Sequence, residues 1–442
     1  MVPRPWPWYG SSGSMAGFGD ASTMERLLVH FAAAVEANDA TLAQQILWVL
    51  NNIAPSDGDS NQRLTCGFLR ALILRAMRNG TCKTLAAAVA SSHSGSNICL
   101  SRETYRFSVV ELAAFVDLTP WHRFGFTAAN SAIVEAIQGF SAVHVVEIGS
   151  THCMQIPTLI DAIANKFEVP PLVKLTVVVA STADDDISSL PIAFSYEELG
   201  SKLVNFAHSR NVNVVFRIIT SSYTNAFSSL FEDLRKKKPV QVGTCDGGSI
   251  IHQEALVINC QMMLHYMLED QALELIPPLS ILEGAIGFSS PRTRFLNWLR
   301  SLDPTIVTLV DEDADLMSND IVTRLRSAFN YLWIPYDVSD AILPKGSEQR
   351  QRYEGHIRRR IENVVACEGV ERVERLEGRR KWAERLRGAN FRGVGFGDDA
   401  VAEVKAMIGE HATGWGMKKE EDDIVLTWKG HNVVFASAWL PC

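Results

Sequence analysis

Val143-His144-Val145-Val146-Glu147-Ile148-Gly149-Ser150-Thr151-His152-Cys153 is the stretch on which the reading of this chain turns. Its first five residues are a short apolar, β-branched run, the pattern of a buried strand. A helical pattern follows through Leu159, Ile160 and Ile163. Strand, tight turn and helix make the first half of a βαβ unit. In such units the helix N-terminus faces the crevice at the strand ends, where nucleotides bind.

The same alternation continues downstream. Val173–Ala180, Val212–Ile219, Glu254–Cys260 and Thr305–Val310 read as further strands with helical stretches between them, and Ser195-Tyr196-Glu197-Glu198 reads as a capping box. Alternation of this kind implies a parallel sheet covered on both faces. The end differs: Ile424–Trp428 and Val433–Trp439 flank Lys429-Gly430-His431-Asn432, a β-hairpin pattern. A doubly wound parallel sheet finished by an antiparallel hairpin is the architecture of the methyltransferase-type Rossmann folds.

Upstream, the period is helical. Met24, Leu27, Leu28, Phe31 and Val35 form one apolar stripe, and Leu42, Ile46, Leu47, Val49, Leu50 and Ile53 a second. A third helix carries Leu64, Phe68, Leu72, Ile73 and Ala76 and stops at Asn79-Gly80. Further helices are expected near 103–117 and 128–138, the latter ended by Gly139. The leucines read first as core. Residues 1–23, rich in Pro, Gly and Ser, read as a flexible leader. The expected organisation is therefore a leader at 1–23, a leucine-rich helical cap at 24–139 and an α/β core at 140–442.

The chain has 442 residues, 47% hydrophobic and 21% charged, a globular composition. No apolar run reaches the length of a membrane span, and the start has no apolar segment of a secretory signal, so the chain reads as soluble and intracellular. The eight cysteines lie far apart with no C-x-x-C pair, and most sit in apolar runs such as Val257-Ile258-Asn259-Cys260. They read as buried thiols rather than metal ligands or a disulfide framework. The net charge of −8 argues against broad, phosphate-driven binding of nucleic acid. From Arg350 to Arg392, however, 13 Arg or Lys stand against 7 Asp or Glu. The densest points are Arg358-Arg359-Arg360 and Arg379-Arg380-Lys381, residues that could meet DNA or a protein partner. Mixed charge along a helix reads equally as an ion-paired face. Arg235-Lys236-Lys237-Lys238 before Pro239 fits both a nuclear localisation signal and a helix C-terminus.

The turn itself argues against a cofactor. An adenosyl-methionine enzyme would use several glycines there so that backbone can approach the ligand, and only Gly149 is present, flanked by Glu147 and His152. An acid closing the second strand would hold the ribose, yet Ala180-Ser181-Thr182 stands there, with Asp184 to Asp186 a few residues late. Asp311-Glu312-Asp313-Ala314-Asp315 could bind a metal but reads better as the first turn of the next helix. Gly243–Ser249 has loop chemistry without the phosphate-loop pattern, neither a G-x-S-x-G nor an H-E-x-x-H motif occurs, and nothing among the eleven scattered histidines proposes a triad. No catalytic residue, cofactor or metal is expected.

These features together resemble the plant GRAS family of transcriptional regulators, in its Scarecrow-like branch. Val143-His144-Val145-Val146-Glu147 looks like the family's VHIID motif, between leucine-rich helices, and Gln155, Pro157, Leu159 and Ala162 continue the pattern. Ile361 to Gly369, Arg372-Val373-Glu374-Arg375, Trp382, Arg385 and the Phe391 region follow in the family's order. Gly414-Trp415, Trp428-Lys429 and Ser437-Ala438-Trp439, the SAW motif, end the chain. Glu147 stands where the family usually has Asp, Ile156 replaces a Trp, and the PFYRE segment matches only in outline through Tyr331 and Pro335-Tyr336-Asp337, with Arg360 where Glu is common. The resemblance implies a non-enzymatic nuclear regulator. It would work through contacts with DNA-binding zinc-finger factors and other GRAS proteins, a homodimer and direct DNA contact being open. A small-molecule methyltransferase using adenosyl-methionine is the alternative.

Overall fold

The computed structural model describes residues 20–78, 106–179, 190–223, 225–237, 254–269 and 290–442. In chain order the helices are α1 (Ala21–Glu36), α2 (Ala40–Ile53), α3 (Ser60–Arg78), α4 (Val109–Asp117), α5 (Pro120–Ala136), α6 (Ile156–Lys166), α7 (Tyr196–Ser209), α8 (Ser228–Lys237), α9 (Pro291–Leu302), α10 (Ile321–Ile342), α11 (Glu348–Ala366), α12 (Arg379–Gly388) and α13 (Asp398–Gly409). The strands are β1 (Ala142–Gly149), β2 (Leu172–Val179), β3 (Val214–Thr220), β4 (Glu254–Gln261), β5 (Ile306–Glu312), β6 (Phe391–Val394), β7 (Trp415–Glu420), β8 (Asp423–Trp428) and β9 (His431–Pro441). Helix α1 begins at Ala21, inside the stretch expected to be leader; residues 1–19 lie outside the described residues, as do Asn79-Gly80.

Packing divides the chain into two compact units, Met1–Glu103 with Ala314–Arg375, and Thr104–Asp313 with Leu376–Cys442. This division differs from a boundary near residue 139. Helices α4 and α5 belong with the sheet, because α5 lies close on it: a Cβ at Gly125 would come within 2.5 Å of Val310 Cγ1. Helices α10 and α11, far along the chain, complete the all-helical unit instead.

In that helical unit the leucine stripes are core. Leu28, Leu50, Leu64 and Leu72 are fully buried and Leu47 nearly so, whereas Leu42 is 42% exposed. Phe68 meets Phe329 of α10 edge-on, with ring centroids 5.4 Å apart. Gly67 lets α3 approach α10 and α11, since a Cβ there would lie 3.3 Å from both Ile361 Cδ1 and Tyr336 Oη.

In the second unit the sheet runs β3-β2-β1-β4-β5-β9-β8-β7, with β6 beside β9. The pairings among β1 to β5 are parallel and those of β6 to β9 antiparallel. This is the methyltransferase-type Rossmann arrangement expected from the strand pattern. Strand β5 is buried at every position, as a strand covered on both faces requires. The β8–β9 hairpin closes through Lys429 (φ 47°) and Gly430 (φ 84°), two left-handed residues that match the twist of the strands.

One expectation is corrected. Asp311 and Glu312 do not open a helix: they end β5, opposite Phe435 and Val434 of β9, and α10 starts only at Ile321. The apolar run Thr305–Val310 ends two pairs before the β5–β9 ladder does. Among the described residues no helix is long and apolar enough to cross a membrane.

Candidate functional site: a closed Rossmann crevice

The strand order reverses between β2-β1 and β4-β5, so the crevice outside the carboxyl ends of β1 and β4 is where an open α/β sheet binds its ligand. Register places Glu147 of β1 opposite Asn259 of β4, and Asn259 opposite Thr308 of β5, a polar rung across three adjacent strands. All three side chains are buried. Asn259 Nδ2 donates to Glu147 Oε2 and to Gln155 Oε1, the latter at 2.8 Å. Its Oδ1 accepts from Thr308 Oγ1 at 2.6 Å and from Gln261 Nε2 at 3.1 Å. The two donors and two lone pairs of this amide are thereby all used. Gln155, at the start of α6, donates onward to Asn130 Oδ1 of α5 at 2.9 Å, and Asn130 donates to Thr158 Oγ1 at 2.9 Å. One network ties β1, β4, β5, α5 and α6 together.

The network occupies the place where a ligand's phosphate or ribose would approach the turn. A Cβ at Gly149 would collide with Glu147 Oε1, so the chain's own carboxylate covers the one glycine of the turn. Glu147 Oε1 makes no hydrogen bond, and burial pushes its carboxyl up to about 7, partly offset by the Asn259 hydrogen bond. The turn is built from side-chain residues in a glycine conformation: His152 stands at φ 50° and Cys153 at φ 66°, each costing about 1–2 kcal/mol. Two hydrogen bonds hold it there. His152 Nε2 donates to the Leu190 carbonyl at 2.7 Å, and Nδ1 accepts from the Tyr196 hydroxyl at 2.5 Å. A neutral ring satisfies both partners, and burial lowers its pKa to about 4. Met154 packs on an apolar cluster of Phe107, Leu112, Val116, Phe126 and Leu190.

A second buried pair lies at the same end of the sheet. His265 Nδ1 meets Asp311 Oδ1 at 2.8 Å, both side chains buried, and Trp121 Nε1 donates to Glu312 Oε1 at 3.1 Å. These contacts take up the first two carboxylates of the acidic run that sequence reasoning weighed as a metal site; Asp313 accepts from the Arg379 N–H at 2.9 Å and from Asn432 Nδ2 at 2.6 Å, and Asp315 is exposed. Among the described residues no group of three or more His, Cys, Asp and Glu is arranged to hold a metal. Cys153 and Cys260 are buried, Cys66 and Cys367 half-buried and Cys442 exposed; Cys82, Cys99 and Cys245 lie outside the described residues, as do Ala180–Thr182, Asp184–Asp186 and Gly243–Ser249.

The basic segment is divided between the two units. Arg358, Arg359 and Arg360 lie on α11 in the helical unit, half-buried, and Arg360 pairs with buried Glu374 at 3.3 Å. Arg379, Arg380 and Lys381 open α12 in the sheet unit. Arg379 is buried, donating to Asp423 Oδ2 at 3.0 Å and to Glu420, while Arg380 and Lys381 are exposed. Arg385 pairs with Glu377 and Glu269, both at 2.7 Å. Most of the positive charge thus serves internal ion pairs. Arg235 and Lys236 are exposed at the end of α8; the side chain of Lys237 and all of Lys238 lie outside the described residues. The residues that sequence reasoning passed over are Asn130, Asn259, Gln261 and Thr308. The signal was there in β4, where Asn259 and Gln261 put two amides on one face of a strand buried on both sides.

Fold and crevice together define a Rossmann-type protein whose ligand turn is sealed by its own side chains. Residues 24–440 match the GRAS domain family. The chain belongs to that family of plant regulatory proteins, as its motif order implied. It is 54% identical to Scarecrow-like protein 32 of Arabidopsis thaliana, over 98% of this chain and 97% of that protein. It is 30% identical to Protein SHORT-ROOT of the same plant, over 96% of this chain and 74% of that protein. The crystal structure of SCL7 in Oryza sativa matches with a TM-score of 0.65 at 20% identity, covering 94% of this chain and 99% of that one, a likeness of fold.

Proposed function

We propose that this chain is a nuclear, non-enzymatic transcriptional regulator that acts through contacts with DNA-binding transcription factors, zinc-finger proteins among them, and with other GRAS proteins. The observation that carries the non-enzymatic part is Glu147 lying over Gly149, held by Asn259 within a saturated amide network. Adenosyl-methionine, the ligand a methyltransferase-like core implies, does not fit these residues: the turn offers no bare backbone for its approach. Family membership and the likeness to Scarecrow-like protein 32 and SHORT-ROOT support the regulatory part. For direct contact with DNA or a partner, Arg380 and Lys381 are the exposed members of the basic series, with Arg358 and Arg359 half-exposed; Arg235 to Lys238 are proposed as the import signal.

Calorimetry with adenosyl-methionine tests the first part. No heat of binding is expected, and micromolar binding that is lost on changing Gly149 would establish the methyltransferase reading instead. Affinity capture from plant nuclei tests the second. Transcription factors are expected among the retained proteins, and their absence would remove the regulatory reading. Import of a fluorescent fusion, lost when Arg235 to Lys238 are neutralised, tests the localisation.

A further inference from the structure

Strand β7 contains Met417-Lys418-Lys419-Glu420, and Glu421-Asp422-Asp423 follow it directly. A large apolar residue, a lysine, any residue and a glutamate thus stand in order, with three more carboxylates after them. No other lysine of the chain stands in this pattern. It is the pattern that enzymes conjugating a small ubiquitin-like modifier read, and they read it in extended backbone. Strand geometry accounts for the spacing. Side chains alternate, so the lysine and the glutamate share one face and the apolar residue takes the other.

The backbone of β7 already has that form. The strand ends the sheet, and among the described residues no strand pairs with its edge away from β8. An enzyme groove can take hold of such an edge without breaking a ladder, and a preset backbone needs little ordering. Register puts Lys418 opposite Val425 and Glu420 opposite Asp423. Arg379 of α12 donates to both Glu420 and Asp423, which marks the face that carries Lys418. Lys418 Nζ pairs with Glu420 Oε1, and its side chain is 41% exposed. The hydrogen bond from Lys418, with Arg379 behind it, holds the Glu420 carboxyl below its ordinary value, so it is ionised. Lys419 lies on the opposite face, where its Nζ donates to the Phe396 carbonyl at 3.3 Å. The two lysines are therefore unlike: Lys419 is held by main chain, and Lys418 by a surface ion pair that parts at little cost. Beyond the strand, Glu421 and Asp422 are exposed, whereas Asp423 is buried on Arg379. Two exposed carboxylates after the motif suit a basic patch on the enzyme.

We propose that Lys418 is the acceptor for a small ubiquitin-like modifier, joined through an isopeptide bond on the edge strand of the sheet. The modifier arrives as a thioester between its C-terminal glycine and a cysteine of the conjugating enzyme, formed in an ATP-driven step. Lys418 Nζ loses a proton and attacks the thioester carbonyl carbon. The C–N bond forms, the C–S bond breaks and the enzyme's cysteine leaves as thiolate. Of the two protons released from Nζ, one goes to that thiolate and the other to solvent. Lys418 loses its charge, and Glu420 keeps Arg379 as its partner. The site is separate from the crevice and does not depend on the regulatory reading.

The test is conjugation of the full chain in a purified mixture of activating enzyme, conjugating enzyme, modifier and ATP. Product is followed on a denaturing gel, and the branch is mapped by mass spectrometry. A synthetic peptide covering 412–425, the Lys418→Arg and Lys419→Arg variants, and a Glu421→Gln, Asp422→Asn double variant run beside it. One modifier per chain is expected, on Lys418. Lys418→Arg should lose the product at an unchanged unfolding midpoint, and Lys419→Arg should keep it. Neutralising Glu421 and Asp422 together should slow conjugation about two- to fivefold, the worth of screened surface charges. No product on the folded native chain overturns the proposal, whether or not the peptide is modified. A branch mapped to another lysine, or as much product in Lys418→Arg as in the native chain, overturns it equally.

Discussion

The two titratable groups of the sealed turn have opposite effects on stability, and this can be tested directly. Glu147 is raised from 4.5 to about 7 by burial, offset in part by Asn259. A carboxyl raised on folding favours the folded state while it is protonated. That contribution is complete below about pH 4.5, falls as pH rises, and is gone above about pH 7, a loss of about 3 kcal/mol. His152 is lowered from 6.5 to about 4 by burial, offset in part by the Leu190 carbonyl. A histidine lowered on folding contributes above pH 6.5 and loses that contribution as pH falls to about 4, again about 3 kcal/mol. Between roughly pH 4.5 and 6.5 the two slopes cancel. The native chain should therefore be nearly flat there in these two groups, then lose about 1 kcal/mol between pH 6.5 and 8, where Glu147 titrates alone.

Single substitutions separate the slopes. In Glu147→Gln the fall through neutral pH should vanish, leaving stability that rises with pH up to about 6.5. In His152→Gln stability should fall by about 3 kcal/mol from pH 4.5 to 7.5. The measurement is urea unfolding at five or so pH values, compared as differences between variants, so that other groups cancel. His144 and His411, both lowered by burial, follow the sign of His152 and drop out of the differences; Cys153 and Cys260, which face Glu147, are raised by burial and stay neutral throughout. The reasoning is refuted if Glu147→Gln keeps the native fall above pH 6.5. It is equally refuted if His152→Gln is flat below it.

Arg379→Ala leaves buried Asp423 without its cation, while Glu420 keeps Lys418, and should cost about 3–5 kcal/mol in urea unfolding, whereas Arg380→Ala, one residue on and exposed, should change stability by less than about 0.5 kcal/mol. Leu72→Ala in the helical core should cost about 2–5 kcal/mol, and Leu42→Ala on the exposed side of α2 a small fraction of that, measured by the same unfolding curves. Gly430→Ala puts a Cβ at φ 84° in the β8–β9 turn and should destabilise by about 1 kcal/mol, read as a lower unfolding midpoint without loss of the sheet's circular dichroism.

What could be read from sequence and what could not follows from the range of the forces involved. Strands β1, β2, β4 and β5 were legible because a strand buried on both faces is a local run of apolar residues, and the β8–β9 turn because Lys429-Gly430 carries its own geometry. Polar residues were misplaced where the partner is distant. Asp311 and Glu312 look like the start of a helix, since acids belong there, and only their pairing with β9 and with His265 and Trp121 keeps them in the strand. The run Arg372 to Glu377 looks like a solvated face, yet Arg372, Glu374, Arg375 and Glu377 are all buried. The crevice shows the limit most sharply. One glycine where several are needed already argued against a ligand, and that inference is local. The actual seal is Glu147 held by Asn259, 112 residues away, and by Gln155 through the same amide. A buried carboxylate at the end of β1 must find a donor, but which one is decided by the parallel register of β1 with β4, and register is a property of the assembled sheet.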